Sequence, residues 1–152
     1  GELSRQFFAR QYLDPIGTVY VERGAAAQGV DDMGKAVAAA RSGDMAIFFP
    51  EGTVQRRPGL LPFRLGASQT AAEAGVPVVP VALTGTRAIL RGGGWFPRPG
   101  SIDVRIGQPI APAGGDWPSV LALRGKTRQA LLAAAGEPDL ASEWVRFEPP
   151  PS

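Results

Sequence analysis

Strand-like and helix-like stretches alternate along this 152-residue chain, which predicts an α/β domain with a mixed, mostly parallel sheet flanked by helices. Three observations carry that expectation. "GTVYVERG", Gly17 to Gly24, alternates with period two. "MAIFF", Met45 to Phe49, is a continuous apolar run of the kind found in strands covered on both faces. A helical stretch separates the two, and strand, helix and strand at this spacing make a βαβ unit.

In the first strand Val19 and Val21 share one face, Tyr20 and Glu22 the other, and glycines bound the run. "VDDMGKAVAAARSGD" follows as a helix, with Asp31 or Asp32 as N-cap, a buried stripe of Ala36, Val37 and Ala40, and Gly43 as its stop. "GASQTAAEAG" reads as a helix closed by Gly75, and "VPVVPVAL", Val76 to Leu83, as a further buried strand. Each of its two prolines lacks a ladder donor, so those positions belong at a strand start, an edge or a bulge. "SIDVRIGQPI" alternates again, with Ile102, Val104 and Ile106 on one face. "SVLALRGKTRQALLAAAG", Ser119 to Gly136, is a helix weakened by Gly125 in its middle. No internal repeat is visible. Residues 1–136 are expected to form one domain, and 137–152, ending in "FEPPPS", a tail or linker.

Composition restricts the chemistry. With 16 basic and 14 acidic residues the net charge is only +2, which argues against a nucleic-acid partner and requires any anion site to come from local clustering. The chain has no cysteine and no histidine, so it has no disulfides and lacks the commonest general base and metal ligand. No apolar run approaches the roughly 20 residues of a membrane-spanning helix, and no signal peptide is seen.

The chemistry-bearing stretch is "IFFPEGTVQRRPGLLPFRLGA", Ile47 to Ala67. In an α/β sheet, ligands bind beyond the carboxyl ends of strands, which is where Glu51, Gly52 and Thr53 fall. Gly52 lets backbone N–H groups approach a ligand, and Arg56 and Arg57 add charge-assisted donors suited to phosphate or carboxylate. A nucleotide-binding P-loop is set aside, because the Gly-Lys-Ser/Thr that cradles phosphate and magnesium is missing.

"GTVYVER" (Gly17 to Arg23), "FPEGTVQ" (Phe49 to Gln55) and "VPVVP" (Val76 to Pro80) occur in the order of three of the four blocks of the glycerolipid acyltransferases typified by 1-acylglycerol-3-phosphate (lysophosphatidate) acyltransferase. With the Phe-basic-x-Gly-Ala element of "LLPFRLGA" between them, the chain resembles that family from about Gly17 to Ile110. The resemblance implies that Arg23 contacts the acceptor's phosphate and that Glu51, Gly52 and Thr53 shape its site. A carboxylate beside an anion repels it, so Glu51 is read as orienting Arg23 or bracing the turn. The family's arginine and serine after the threonine are Val54 and Gln55 here, which leaves Arg56 as the residue that could supply the missing charge.

The family's first block, Asn-His-x-x-x-x-Asp, supplies the base that deprotonates the acceptor hydroxyl. With no histidine the chain cannot contain it, and no catalytic residue is assigned. A positioned general base is worth roughly 100- to 10,000-fold in rate. The resemblance places Gly1 just after that block, so the expectation is a domain truncated before its catalytic motif and inactive alone. The alternative is a non-catalytic relative that binds phosphorylated lipid.

The same resemblance implies acyl-CoA or acyl carrier protein as donor, a lysophospholipid or glycerol phosphate as acceptor, and neither cofactor nor metal, since the thioester is already activated. The expected location is cytoplasmic, peripheral at the inner face of the membrane. "TRAILRGGGWFPRPG" combines Arg87, Arg91 and Arg98 with Trp95 and Phe96, a mixture that suits a bilayer interface.

Overall fold

The computed structural model describes residues 26–53, 57–89 and 98–141, with side chains from residue 33 onward. Helix α1, Ala26–Ser42, starts five residues before the expected caps, so Asp31 and Asp32 lie inside it rather than at its entrance. Its far end is as expected. Gly43 takes φ +93, a left-handed conformation that costs glycine little, and Asp44 N–H returns to the Ala39 carbonyl at 3.0 Å. Ala36, Val37 and Ala40 are buried, and this narrow alanine face packs on α2, Gly66–Ala74. Arg41 fastens the pair by donating to the carbonyl of Glu73 at 2.7 Å. Gly75 closes α2 at φ +71.

Residues 76–83 form less strand than their apolar run suggests. Strand β1 is Val81–Thr84, paired antiparallel with β2, Asp103–Ile106. Further up, Val78 and Ile110 exchange both backbone hydrogen bonds, at 2.9 and 2.8 Å. Between that bridge and the ladder, residues 79 and 80 face residues 107–109, so one strand carries an extra residue, as in a bulge. Pro80 fits there because only its carbonyl is used, by Gly107 N–H at 2.8 Å. Between the strands' ends lies a one-turn helix, α3, Thr86–Ile89, that periodicity does not reveal.

Helix α4, Trp117–Ala135, opens with Pro in its first turn and closes on Gly136 at φ +63. Val120, Leu123 and Thr127 mark its buried stripe, at the spacing of one helical face. It packs on α2 and on β1, where Ala82 is the buried residue. Leu61, Phe63 and Leu140 complete the core.

Three expectations differ from what the described residues show. The described residues form a two-stranded antiparallel sheet with helices, and not a mostly parallel one. Residues 44–49 do not form a strand, and Met45, Ile47 and Phe49 are 79%, 53% and 73% exposed. A continuous apolar run is buried only when strands flank it and layers cover both faces, and no described strand pairs with this one. Its expected partner, Gly17 to Gly24, lies outside the described residues. The alternating face of Val104 and Ile106, joined by Val81 and Leu83 from β1, is exposed for the same reason.

The third concerns residues 137–141, expected to start a tail. Leu60 N–H donates to the Pro138 carbonyl at 2.8 Å and Leu140 N–H to the Leu60 carbonyl at 3.0 Å, a parallel bridge that buries Leu140. The chain after α4 therefore belongs to the folded unit as far as residue 141.

Candidate anion-binding site

The Pro50–Thr53 turn follows residues 44–49, which have no regular secondary structure, and is tied at both ends. Gly52 N–H donates to the Phe49 carbonyl at 3.0 Å, and Gly52 sits at φ +67, where a side chain would be strained. Glu51 turns inward: its Oε2 accepts from Leu61 N–H at 2.9 Å, in a part-buried position. Arg64 N–H donates to the Pro50 carbonyl at 2.8 Å. This contact braces the turn, while Arg23, the other partner expected of Glu51, lies outside the described residues. Thr53 is exposed beside the turn. Arg23 and Arg56 lie outside the described residues, so the site brings together Glu51, Gly52 and Thr53 of the five expected residues.

Alternation between Leu61 and Arg64 explains the other wall. Leu61 and Phe63 are buried, which turns Arg64 outward. Its side chain lies against Gly52: a Cβ built there would fall 2.3 Å from Arg64 Nε and 2.6 Å from Cδ. The dihedral is what requires the glycine, since the exposed arginine side chain can swing away from an added methyl group. The Phe-basic-x-Gly-Ala element marked Arg64 in the sequence, but nothing in the spacing showed that it would fold back onto Gly52.

The loop carrying Leu61 is held in turn by two ion pairs. Arg128 of α4 grips Asp139 with two hydrogen bonds of 2.7 Å, donates to the Leu60 carbonyl at 2.8 Å, and lies over the Phe63 ring at 5.6 Å. Arg87 of α3 forms a two-pronged pair with Glu137, whose Oε2 also accepts from Gly59 N–H at 2.8 Å. Arg87 was grouped above with membrane-facing arginines; instead it is committed to a carboxylate. Arg98 contributes a backbone N–H to the Ile89 carbonyl, and Arg91, Trp95 and Phe96 lie outside the described residues.

These pairs set the acid limit of the scaffold. The Arg87 hydrogen bond, helped by Gly59 N–H, holds Glu137 below the usual carboxylate range, and Arg128 does the same to Asp139. Arg87 is raised, chiefly by Glu137, with the charge of Glu51 adding to it. A depressed carboxylate stabilises the fold fully above its unfolded pKa, near 4, and loses that contribution as pH falls through the lower folded value. Thermal unfolding should therefore shift little from pH 7 to about 5 and fall steeply below about 4. In Glu137→Gln that acid slope should be shallower; an unchanged slope would remove Glu137 from the acid response.

No helix among the described residues is long and apolar enough to cross a membrane, and no cluster of acidic side chains among them could hold a metal ion.

Known proteins resemble this chain in sequence and in fold. The family model described as Acyltransferase matches residues 1–84. A chloroplastic 1-acyl-sn-glycerol-3-phosphate acyltransferase of Brassica napus is 35% identical over 64% of this chain and 29% of its own length. The enzyme of the same name from Limnanthes douglasii is 36% identical over 65% of this chain and 35% of its own. Among solved structures, the 1-acyl-sn-glycerophosphate acyltransferase PlsC of Thermotoga maritima superposes with a TM-score of 0.62 at 27% identity, covering 70% of this chain and 45% of that one. The chain spans about a third of the length of these curated relatives.

Proposed function

Because this chain belongs to the 1-acylglycerol-3-phosphate acyltransferase family of glycerolipid enzymes, we propose that its Pro50–Thr53 turn holds the phosphate of a lysophospholipid or glycerol phosphate acceptor. The observation that carries this reading is the inward turn of Glu51 onto Leu61 N–H. That contact satisfies the carboxylate internally. It leaves Gly52, the exposed Thr53 and the exposed Arg64 as the described groups offered to an anion. Arg23 and Arg56 belong to the same proposal as further phosphate ligands.

In the reaction of the whole protein, the acceptor hydroxyl attacks the carbonyl of an acyl thioester carried by CoA or acyl carrier protein. The ester bond forms, the thiolate leaves, and a base takes the hydroxyl proton. The thioester is already activated, so neither cofactor nor metal is invoked. Contact with the inner face of a membrane is part of the same reading, since the acceptor is amphiphilic. What the 152 residues contribute is acceptor binding, because they contain no histidine to act as the base.

The test is to incubate the purified chain with an acyl thioester and lysophosphatidate, and to measure thiol release beside calorimetric binding of the acceptor. Binding with background thiol release is expected. Transfer well above background would overturn the assignment of a binding role alone, and absence of binding would overturn the acceptor site.

A further inference from the structure

Arg64 is directed toward the turn by contacts that leave its terminal guanidinium nitrogens unused. Its backbone N–H is held by the Pro50 carbonyl at 2.8 Å, buried Phe63 next to it forces it outward, and its stem and Nε lie against Gly52. The exposed guanidinium has no hydrogen-bond partner among the described residues. Arg41 and Arg105 cap carbonyls and Arg87 and Arg128 grip carboxylates, whereas Arg98 and Arg124 also keep open guanidiniums among the described residues; what sets Arg64 apart from those two is its contact with Gly52 of the turn. Val54 and Gln55, which follow Thr53 in the sequence, bring no charge to the turn. An arginine whose stem lies along the turn and whose planar donor fork is left open can offer two parallel donors to a tetrahedral oxyanion there, with no protein acceptor to displace.

We infer that Arg64 is a further cationic ligand of the phosphomonoester at the Pro50–Thr53 turn, standing over Gly52, where the two residues that follow Thr53 in the sequence are neutral. This rests on the acceptor reading above, and it adds to Arg23 and Arg56 a ligand from outside the turn.

The experiment is calorimetric titration of the 152-residue chain and its Arg64→Gln and Arg64→Lys variants. The probes are glycerol 3-phosphate, short-chain lysophosphatidate below its micelle concentration, and inorganic phosphate, with far-UV circular dichroism as the folding control. Arg64→Gln should weaken both organic phosphates about tenfold or more. Arg64→Lys should fall between, because it keeps the charge and loses the fork. Unchanged affinity in Arg64→Gln would overturn the role of Arg64 while leaving the acceptor site standing. No binding of either organic phosphate by the unaltered chain would overturn both. Inorganic phosphate binding as tightly as lysophosphatidate, with the same loss in Arg64→Gln, would support Arg64 as a phosphate ligand and overturn a glycerolipid as its source.

Discussion

Gly59→Ala should lower stability by about 3–5 kcal/mol, through backbone strain and overpacking acting together. Gly59 holds φ +132, and a Cβ there would fall 2.4 Å from both Cγ and Cδ1 of Leu140, a core residue. Neither neighbour can retreat cheaply. Leu140 is clamped by its backbone bond to Leu60, and Gly59 by its N–H to Glu137. Gly43→Ala is the internal control, because φ is +93 there but nothing lies within 4 Å of the added carbon. It should cost only about 1 kcal/mol, the dihedral part alone. Thermal melts of the two variants separate strain from collision, and a difference on the order of 10 °C is expected. Equal melts would mean that Leu140 repacks around the methyl group without penalty.

Glu51→Ala should cost about 1–3 kcal/mol, the penalty of leaving the part-buried Leu61 N–H without its acceptor. It should also weaken glycerol 3-phosphate binding, since the turn would lose the contact that fixes it to the loop bearing Arg64. Glu51→Gln separates bracing from charge. Its amide oxygen can still accept from Leu61 N–H, so most of the stability should return. Removing a negative charge beside an anion site should leave phosphate affinity equal or higher. Should Glu51→Gln bind as poorly as Glu51→Ala, the carboxylate charge itself would be required and the bracing role would be wrong.

Helix ends and helical faces were legible in the residue order because they are local. The stops at Gly43, Gly75 and Gly136 follow from glycine's access to left-handed dihedrals. The stripe of Ala36, Val37 and Ala40 follows from 3.6-residue periodicity. The start of α1 was misplaced because Asp31 and Asp32 look like caps, and only the hydrogen-bonded turns upstream show that they are interior. The prolines near β1 were placed correctly at a strand irregularity, for a reason that lies in the residue itself: proline has no N–H.

What the residue order settled alone is the chemistry on offer: a Pro-Glu-Gly-Thr turn among arginines in family order, and no histidine. What only the tertiary structure decided is which of those groups meet. Glu51 reaches Leu61 ten residues away, Arg64 folds over Gly52, Glu137 reaches Gly59 across 78 positions, and Arg87 leaves the surface basic cluster for Glu137. Local rules do not report such contacts, because each depends on where a distant segment docks. Burial of the 45–49 run depends on distance in the same way: its apolar side chains specify a strand only when neighbouring strands supply the other half of the ladder.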